Sequence, residues 1–537
     1  MFSAKIQAMK TIRKKIEQVI LESLKDLNFN FKNNKWRVEV PNNKEHGDYA
    51  SNVCLVLSEE ESLKPIEFGE KLRDNLLSKD YSFIKEVSIT PPGFLNFTLS
   101  FSFLEKKLKE IIATEEWGVV EVGDNQKTQV EFISANPTGP LTLGNGRGGF
   151  LGDVLGNVLQ KAGFKTEKEY YINDSGNQIK QLGHSVLKDD QATYQGDYIE
   201  ELHKKISGDD PQTVGEKAAA KILDNIKNVL QKIKIKFDQF FSEKTLHKSG
   251  LVDKIIKQLK DNGYTYKKEG ALWFKTTEFG DDKDRVLITS DNNKTYLTTD
   301  IAYHVNKIKD RNFEKVIDIW GADHQGHVLP LKAGLKALGL DAQKLEFIIV
   351  QWVSVLKDGE VFKMSKREGT YWTLEELVEE VGLDAARYFF INRNPSSHLE
   401  FDLDLAKKKS NDNPVYYIQY AHTRIASIFR NLDSQEILKE VSQVDYKTLK
   451  KDVEKRLIKE LLRYPEVITD ITHEYQVQYL SQYAYDLAQL VHQFYRDCRV
   501  LEAPEKIKKA RLGLLLATQK TLQDVLNIMG IEAPQKM

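Results

Sequence analysis

The sequence predicts an α/β protein, with a parallel-sheet core flanked by a small N-terminal α+β domain and a C-terminal all-α helical domain. Three observations carry that reading. Between residue 113 and about 400, short β-rich runs alternate with amphipathic helical stretches, the pattern of a parallel sheet with crossovers. Residues 1 to about 112 mix one long helical stretch with strand-like and turn-rich pieces. Residues 401–537 hold apolar residues at spacings of three and four almost throughout. The chain has 537 residues, and at roughly 150 residues per domain such a length accommodates three to four domains.

The first helix is expected over about residues 5–27, where Ile12, Ile16, Ile20 and Leu24 keep helical spacing. The same start is basic and free of acids until Glu17, as a transit peptide would be. It holds one Arg and one Ser, and the helical spacing favours a plain first helix. WRVEV (36–40) reads as a strand, PNNKEHGDYASN as a polar turn region, and PPGFLNFTL (91–99) as a Pro-Gly turn entering an alternating strand. In the core domain, TQVEFIS (128–134) is a strand and FLGDVLGNVLQKAGF (150–164) an amphipathic helix stopped at Gly163. EKEYYIN (167–173), RVLITS (285–290), KVIDIWG (315–321) and LEFIIVQ (345–351) supply further strands, with helices between the last three. Residues 185–265 turn to Lys/Asp/Glu-rich helical segments and read as an insertion between two halves of the sheet. The C-terminal helices carry a small basic excess, and a helical appendage behind an α/β core points to a separate binding task.

Composition narrows the function. Lys+Arg is 78 and Asp+Glu 79, a formal charge of −1; hydrophobic residues make up 41% and charged residues 29%. That fits a soluble globular chain and excludes a histone-like or tail-type nucleic-acid binder. It leaves room for an enzyme with a local basic face. Cys54 and Cys498 are the only cysteines, too few for a disulfide framework or a Cys-rich zinc site, so a reducing, cytoplasmic compartment is expected. No apolar run approaches the roughly 18 residues of a membrane span.

Two motifs carry chemistry. After the strand at 128–134 comes ISANPTGPLTLGNGRGGFLGD, in which Gly144, Gly146 and Gly149 spell G-x-G-x-x-G. Such glycines let a backbone approach a pyrophosphate at a helix N-terminus, so a dehydrogenase is one reading. Against it, Pro137 and Pro140 lie in the long stretch between strand and first glycine. The plainer reading is a turn that packs helix on sheet. The second motif is VFKMSKREGT (361–370), where Lys363, Lys366 and Arg367 cluster with Ser365 on a short loop. A leaving pyrophosphate calls for movable cations, and lysine suits this; alone, the loop is equally a solvated basic turn.

Together the motifs resemble class I aminoacyl-tRNA synthetases. ISANPTGPL, EYYINDSGNQI, YLTTDIAYH, GADHQGH, KMSKREGTYWTLEELVEEVGLDAARYFF, HLEFDLDLA, NPVYYIQYAHTRI and HQFYRDCRVL narrow the resemblance to the arginyl-tRNA synthetases, nearly end to end. EVPNNKEHGDYASN and PPGFLNFTL resemble that family's N-terminal domain. The resemblance implies a tRNA-contacting domain over 1–112, a Rossmann-like catalytic domain over 113–400 and an anticodon-binding helical domain over 401–537. It implies ATP-dependent formation of arginyl-adenylate from L-arginine, transfer to the 3′-terminal adenosine of tRNA(Arg), and a need for tRNA before activation. Mg2+ would accompany ATP without a protein-held metal site, and a monomer with no membrane partner is expected. One departure stands out: where the family has His-x-Gly-His, this chain has Thr142-Leu143-Gly144-Asn145. Thr and Asn donate hydrogen bonds to phosphate oxygens but carry no charge. A catalytically impaired tRNA-binding paralogue, or another class I ligase or nucleotidyltransferase, is the alternative.

Carried over residue by residue, the resemblance implies Thr142, Asn145, Lys363, Ser365 and Lys366 as catalytic. ATP would meet Pro140, Thr142, Gly144, Asn145, Gly146, Asp323, His324, Lys363, Met364 and Lys366. Arginine would meet Glu131, Ser134, Asn136, Tyr296, Asp300 and His324, since a guanidinium calls for carboxylates and acceptors. Each has a structural rival. Glu131 alone in a strand suits a surface, Asp300 after Thr298-Thr299 suits a helix N-cap, and a lone His324 suits a satisfied structural role. Tyr417, Tyr420, His422 and Arg424, with Arg496 and Arg499, suit base stacking and phosphate contact, and equally a helix–helix core.

Overall fold

The structure, a computed structural model, describes all residues except 1–10, 30–34, 62, 363–371, 431, 433–440 and 442–443. Its centre is a five-stranded, wholly parallel sheet ordered Leu345–Val350, Lys315–Gly321, Lys127–Glu131, Lys165–Ile172, Gln239–Ser242. Val130, Tyr170, Val316 and Ile317 are fully buried in it, as expected for strands covered on both faces. The chain starts in the middle strand, Lys127–Glu131, moves out to one edge, then crosses back to its other side. The reversal lies between Lys127–Glu131 and Lys315–Gly321, and ligands of such sheets bind outside the C-terminal strand ends at that point.

Helix Leu143–Lys161 covers the sheet. It begins seven residues before the expected Phe150, so the glycine run is helical and not a loop. Side chains there would collide: at Gly149 with Ile133 at 2.8 Å, at Gly152 with Phe132 at 2.2 Å. The run therefore lets the helix lie close on the sheet. Gly163, with φ +85°, ends it.

Two expectations need correction. RVLITS forms Arg285–Ile288 but pairs antiparallel with Ala271–Phe274 in a separate three-stranded sheet with Thr265–Lys268. The local pattern marked a strand without marking its partner. The helical segment 185–265 is not a pure insertion, since it contains Gln239–Ser242, the edge strand of the parallel sheet.

The N-terminal part is a four-stranded antiparallel sheet, Val38–Glu39, Tyr49–Ser51, Phe94–Leu99 and Ile84–Thr90 in spatial order, backed by helices. Helix Ile12–Asp26 is capped by Thr11, and Ile12, Ile16, Ile20 and Leu24 are all buried. It rests on the C-terminal helices, where the Arg13 amide donates to Glu466 at 2.8 Å and Tyr49 donates to the same carboxylate. Trp117 donates to the Leu461 carbonyl at 3.1 Å. The C-terminal part is built on helices Pro414–Phe429, Asp452–Glu474, Gln478–Asp497 and Glu505–Met529. Among the described residues no helix is long and apolar enough to cross a membrane.

Candidate active site

A cleft of about 790 Å³ opens at the reversal point. Its lower edge starts where strand Lys127–Glu131 stops. Ile133 and Ser134 both take left-handed backbone, φ +66° and +38°, which costs a β-branched residue most. The kink presents Ser134, Ala135 and Asn136 to the cleft. It is held by Ser134 Oγ, which donates to Glu131 Oε1 at 2.8 Å and accepts from the Tyr171 amide at 3.0 Å.

Thr142, Gly144 and Asn145 form the adjoining wall, at the N-terminus of helix Leu143–Lys161. The Thr142 amide and hydroxyl both donate to Asn145 Oδ1, each at 2.9 Å. The Thr hydroxyl proton is thereby committed, so the Asn145 amide nitrogen is the donor left for a ligand. Pro140 and Gly146 do not line the cleft. Gly146 is buried against Leu374, whose Cδ1 a side chain there would meet at 2.5 Å. Its reason is packing. Thr373 forms a single antiparallel bridge with Thr142, and the Leu374 amide donates to the Leu141 carbonyl at 2.9 Å. Lys363, Met364, Ser365 and Lys366 lie outside the described residues; Trp372, which follows them, lines the cleft.

Tyr296 and Asp300 lie on one face of helix Tyr296–Val305, four residues apart, and both line the cleft. The N-cap is Thr295, which removes the capping role for Asp300. No described side chain donates a hydrogen bond to the half-buried Asp300 carboxyl. Burial, reinforced by the charges of Glu131, Glu243 and Asp318 and opposed by His304, pushes it up to about 7.

Beneath lies an ion layer. Buried Lys307 donates to Glu131 Oε2 at 2.6 Å and Asp318 Oδ1 at 2.9 Å, and His304 Nε2 faces Asp318 Oδ2 at 2.6 Å. Burial works against the Lys307 ammonium, but Asp318 and Glu131 overcome it and raise its pKa. Glu131 is thus no surface residue. Its two oxygens serve Ser134 and Lys307, which makes it a support for the pocket more than a free partner for a guanidinium. Glu243 accepts from Tyr171 at 2.8 Å and from Ser175.

The far wall is aromatic. Trp320 packs on Phe347, ring centres 4.5 Å apart, and on His324 at 6.0 Å. Asp323 and His324 line the cleft and are exposed, 3.5 Å apart. Trp352 lines it while 63% exposed. Sequence reasoning missed Tyr171, Asn173, His304, Lys307, Trp320, Trp352 and Trp372. The available signal was a charge or polar group set inside an apolar run, as Asp318 is in KVIDIWG.

In the C-terminal helices His422 is fully buried, its Nδ1 facing the Pro534 carbonyl at 2.9 Å, and burial pushes its pKa down. It is a core residue, not an RNA-facing one. Tyr417 is half-buried against His492, ring centres 4.3 Å apart. Arg424 stands over the rings of Tyr420 and Tyr495, at 4.4 and 4.9 Å. Arg496 and Arg499 are exposed.

Comparison with known proteins matches three family models: "Arginyl tRNA synthetase N terminal domain" over residues 12–99, "tRNA synthetases class I (R), catalytic domain" over 197–426, and "DALR anticodon binding domain" over 418–537. The arginine–tRNA ligase of Caldanaerobacter subterraneus is 41% identical, the match covering 98% of this chain and 99% of the relative. That of Carboxydothermus hydrogenoformans is 42% identical over 94% of each. In structure, the arginyl-tRNA synthetase of Thermus thermophilus superposes with TM-score 0.76 at 22% identity, over 98% of this chain and all of that one.

Proposed function

The chain belongs to the arginyl-tRNA synthetases, class I enzymes that use ATP to ligate arginine to tRNA(Arg), and from that premise we propose how its cleft divides the work. The guanidinium of L-arginine enters toward Asp300, with Tyr296 beside it. The carrying observation is a carboxyl that accepts no hydrogen bond from a described side chain and sits in a negative, half-buried floor. A fixed cation is the partner such a group lacks. Ser134 and Asn136, on the kinked strand end, face the α-amino and carboxylate end.

ATP lies across the Thr142–Asn145 turn. The Asn145 amide and helix N-terminal amides meet phosphate oxygens, and the aromatic wall of Trp320 and His324 receives the base. Mg2+ arrives with ATP as part of that substrate. The arginine carboxylate attacks the α-phosphorus, the bond to the β-phosphate oxygen breaks, and arginyl-adenylate and pyrophosphate form. Lys363 and Lys366 neutralise the leaving pyrophosphate, a role resting on their motif alone. The terminal ribose hydroxyl of tRNA then takes the arginyl group and releases AMP. The N-terminal domain serves the tRNA body, and Arg424, Tyr420 and Tyr495, with Arg496 and Arg499, the anticodon region. A monomer in the cytoplasm completes the reading; the two cysteines, buried and free, fit a reducing compartment.

Pyrophosphate exchange across the twenty amino acids, with tRNA(Arg) present, tests it. Exchange with arginine alone, followed by charging, is expected. Binding of tRNA without exchange would reverse the assignment of activity.

A further inference from the structure

Arg147 stands in the middle of the glycine run yet is 1% exposed. It makes no ion pair with any described residue. A buried guanidinium without a counter-ion is expensive, and burial lowers its pKa to about 10. All its hydrogen bonds go to backbone carbonyls. Nη1 donates to Gln351 at 2.8 Å and Trp352 at 3.2 Å; Nη2 donates to Asn394 at 3.0 Å and Ser397 at 2.7 Å. The planar fork thus joins two loops that also bond each other, Gln351 amide to Pro395 carbonyl at 3.0 Å and Leu399 amide to Trp352 carbonyl at 3.1 Å. The strands leaving them, Val353–Lys357 and Leu399–Asp402, pair in parallel.

These connections tie together two parts of the cleft lining. Arg147 belongs to the helix whose first turn carries Thr142 and Asn145, while Gln351, Trp352 and Val353 line the cleft from the loop it bonds. We propose that Arg147 is a positioning residue that sets the separation between the Thr142–Asn145 turn and the Gln351–Val353 wall, and so the geometry in which ATP is held for attack. The inference rests on the reading of this cleft as the ATP site. Arg147 touches no substrate. It bonds nothing on helix Tyr296–Val305, so the arginine floor lies outside its reach.

The test uses the full-length chain with Arg147→Met and Arg147→Lys in arginine-dependent pyrophosphate exchange with tRNA(Arg). A lysine keeps the charge but not the fork. Misplacing a bound group by about 1 Å costs about 10²-fold, which sets the expected fall in kcat for Arg147→Met, with a smaller fall for Arg147→Lys. KM for ATP should rise and KM for arginine should stay unchanged; a merely structural role would not split them. Wild-type kcat and ATP KM in a folded variant would overturn the proposal. So would an equal rise in both KM values, or failure of both variants to fold. If the wild type itself shows no arginine-dependent exchange, the functional reading falls and this inference with it. If the wild type exchanges and folded variants match it, only the inference falls.

Discussion

Substituting Asp300 by Asn should move function and stability in opposite directions. The carboxyl's pKa rises from an ordinary 3.8 to about 7, chiefly through burial. At about 1.4 kcal/mol per pH unit, charging it in the empty cleft costs on the order of 4 kcal/mol. The unfolded chain binds fewer protons here than the folded one between pH 4 and 7. Stability from this group is therefore present at low pH and lost as pH rises through 7. Asparagine removes the penalty without disturbing a cap, because Thr295 caps the helix. At pH 8 the variant's Tm should equal or exceed that of wild type. Arginine binding should collapse instead. Removing one partner of a desolvated ion pair costs about 3–5 kcal/mol, or more than two decades in kcat/KM for arginine.

The wild type should show the same chemistry as a pH profile. Arginine requires the ionised carboxylate, so apparent affinity should fall about tenfold per pH unit below 7 and level off above it. Calorimetry in two buffers of different ionisation enthalpy should register a proton released on binding at pH 6. Exchange kinetics from pH 6 to 8 and thermal unfolding of both proteins are the assays. An Asp300→Asn enzyme with wild-type KM for arginine, and undiminished discrimination against lysine and citrulline, would falsify the reasoning.

Three further outcomes are expected. Asn145→Leu should raise KM for ATP about tenfold or more, the worth of a hydrogen bond to a charged group, and Thr142→Val less, since that hydroxyl is spent on Asn145; equal, wild-type ATP kinetics in both would refute the donor assignment. Lys366→Ala should slow adenylate formation by about 10²–10³ while sparing arginine binding, as read by pre-steady-state ATP consumption, and near-normal turnover would dismiss the role. His422→Ala should lower Tm and leave tRNA affinity intact in the folded state. The lowered His422 pKa also means that its share of stability is present above pH 6.5 and lost as pH falls below it, which a Tm series over pH 5–8 resolves.

The central strands were legible because they are buried on both faces and read as apolar β-rich runs. Gln239–Ser242 was not, since four residues in a lysine-rich context give no period to detect. The segments around the cleft were legible as motifs, but the motifs did not say which face each residue takes. Gly144 and Gly146 are two residues apart, yet one lines the cleft and the other packs on Leu374. Glu131, expected to meet arginine with a surface position as its rival, could not be read as a partner of Lys307, which is 176 residues away in sequence. A charge inside an apolar run, as Asp318 is in KVIDIWG, marks such a layer, but the run does not say which distant residue is its partner.

That buried layer also explains why Glu131 and Asp300 differ in use. Glu131 has Lys307 and Ser134 on its two oxygens, so both are occupied before any ligand arrives. Asp300 has no such partner, and the neighbouring Glu131, Glu243 and Asp318 make its own ionisation harder. A monovalent amine on a flexible stem would relieve that field at one point. A guanidinium, planar and always charged, relieves it while filling the space beside Tyr296. Citrulline has the shape without the charge and leaves the field in place. Discrimination by the empty pocket's unfavourable charge is steeper than discrimination by contact alone, because the wrong ligand fails to remove a cost already present. The Thr142–Asn145 turn itself carries no charge, so the triphosphate meets amide donors there.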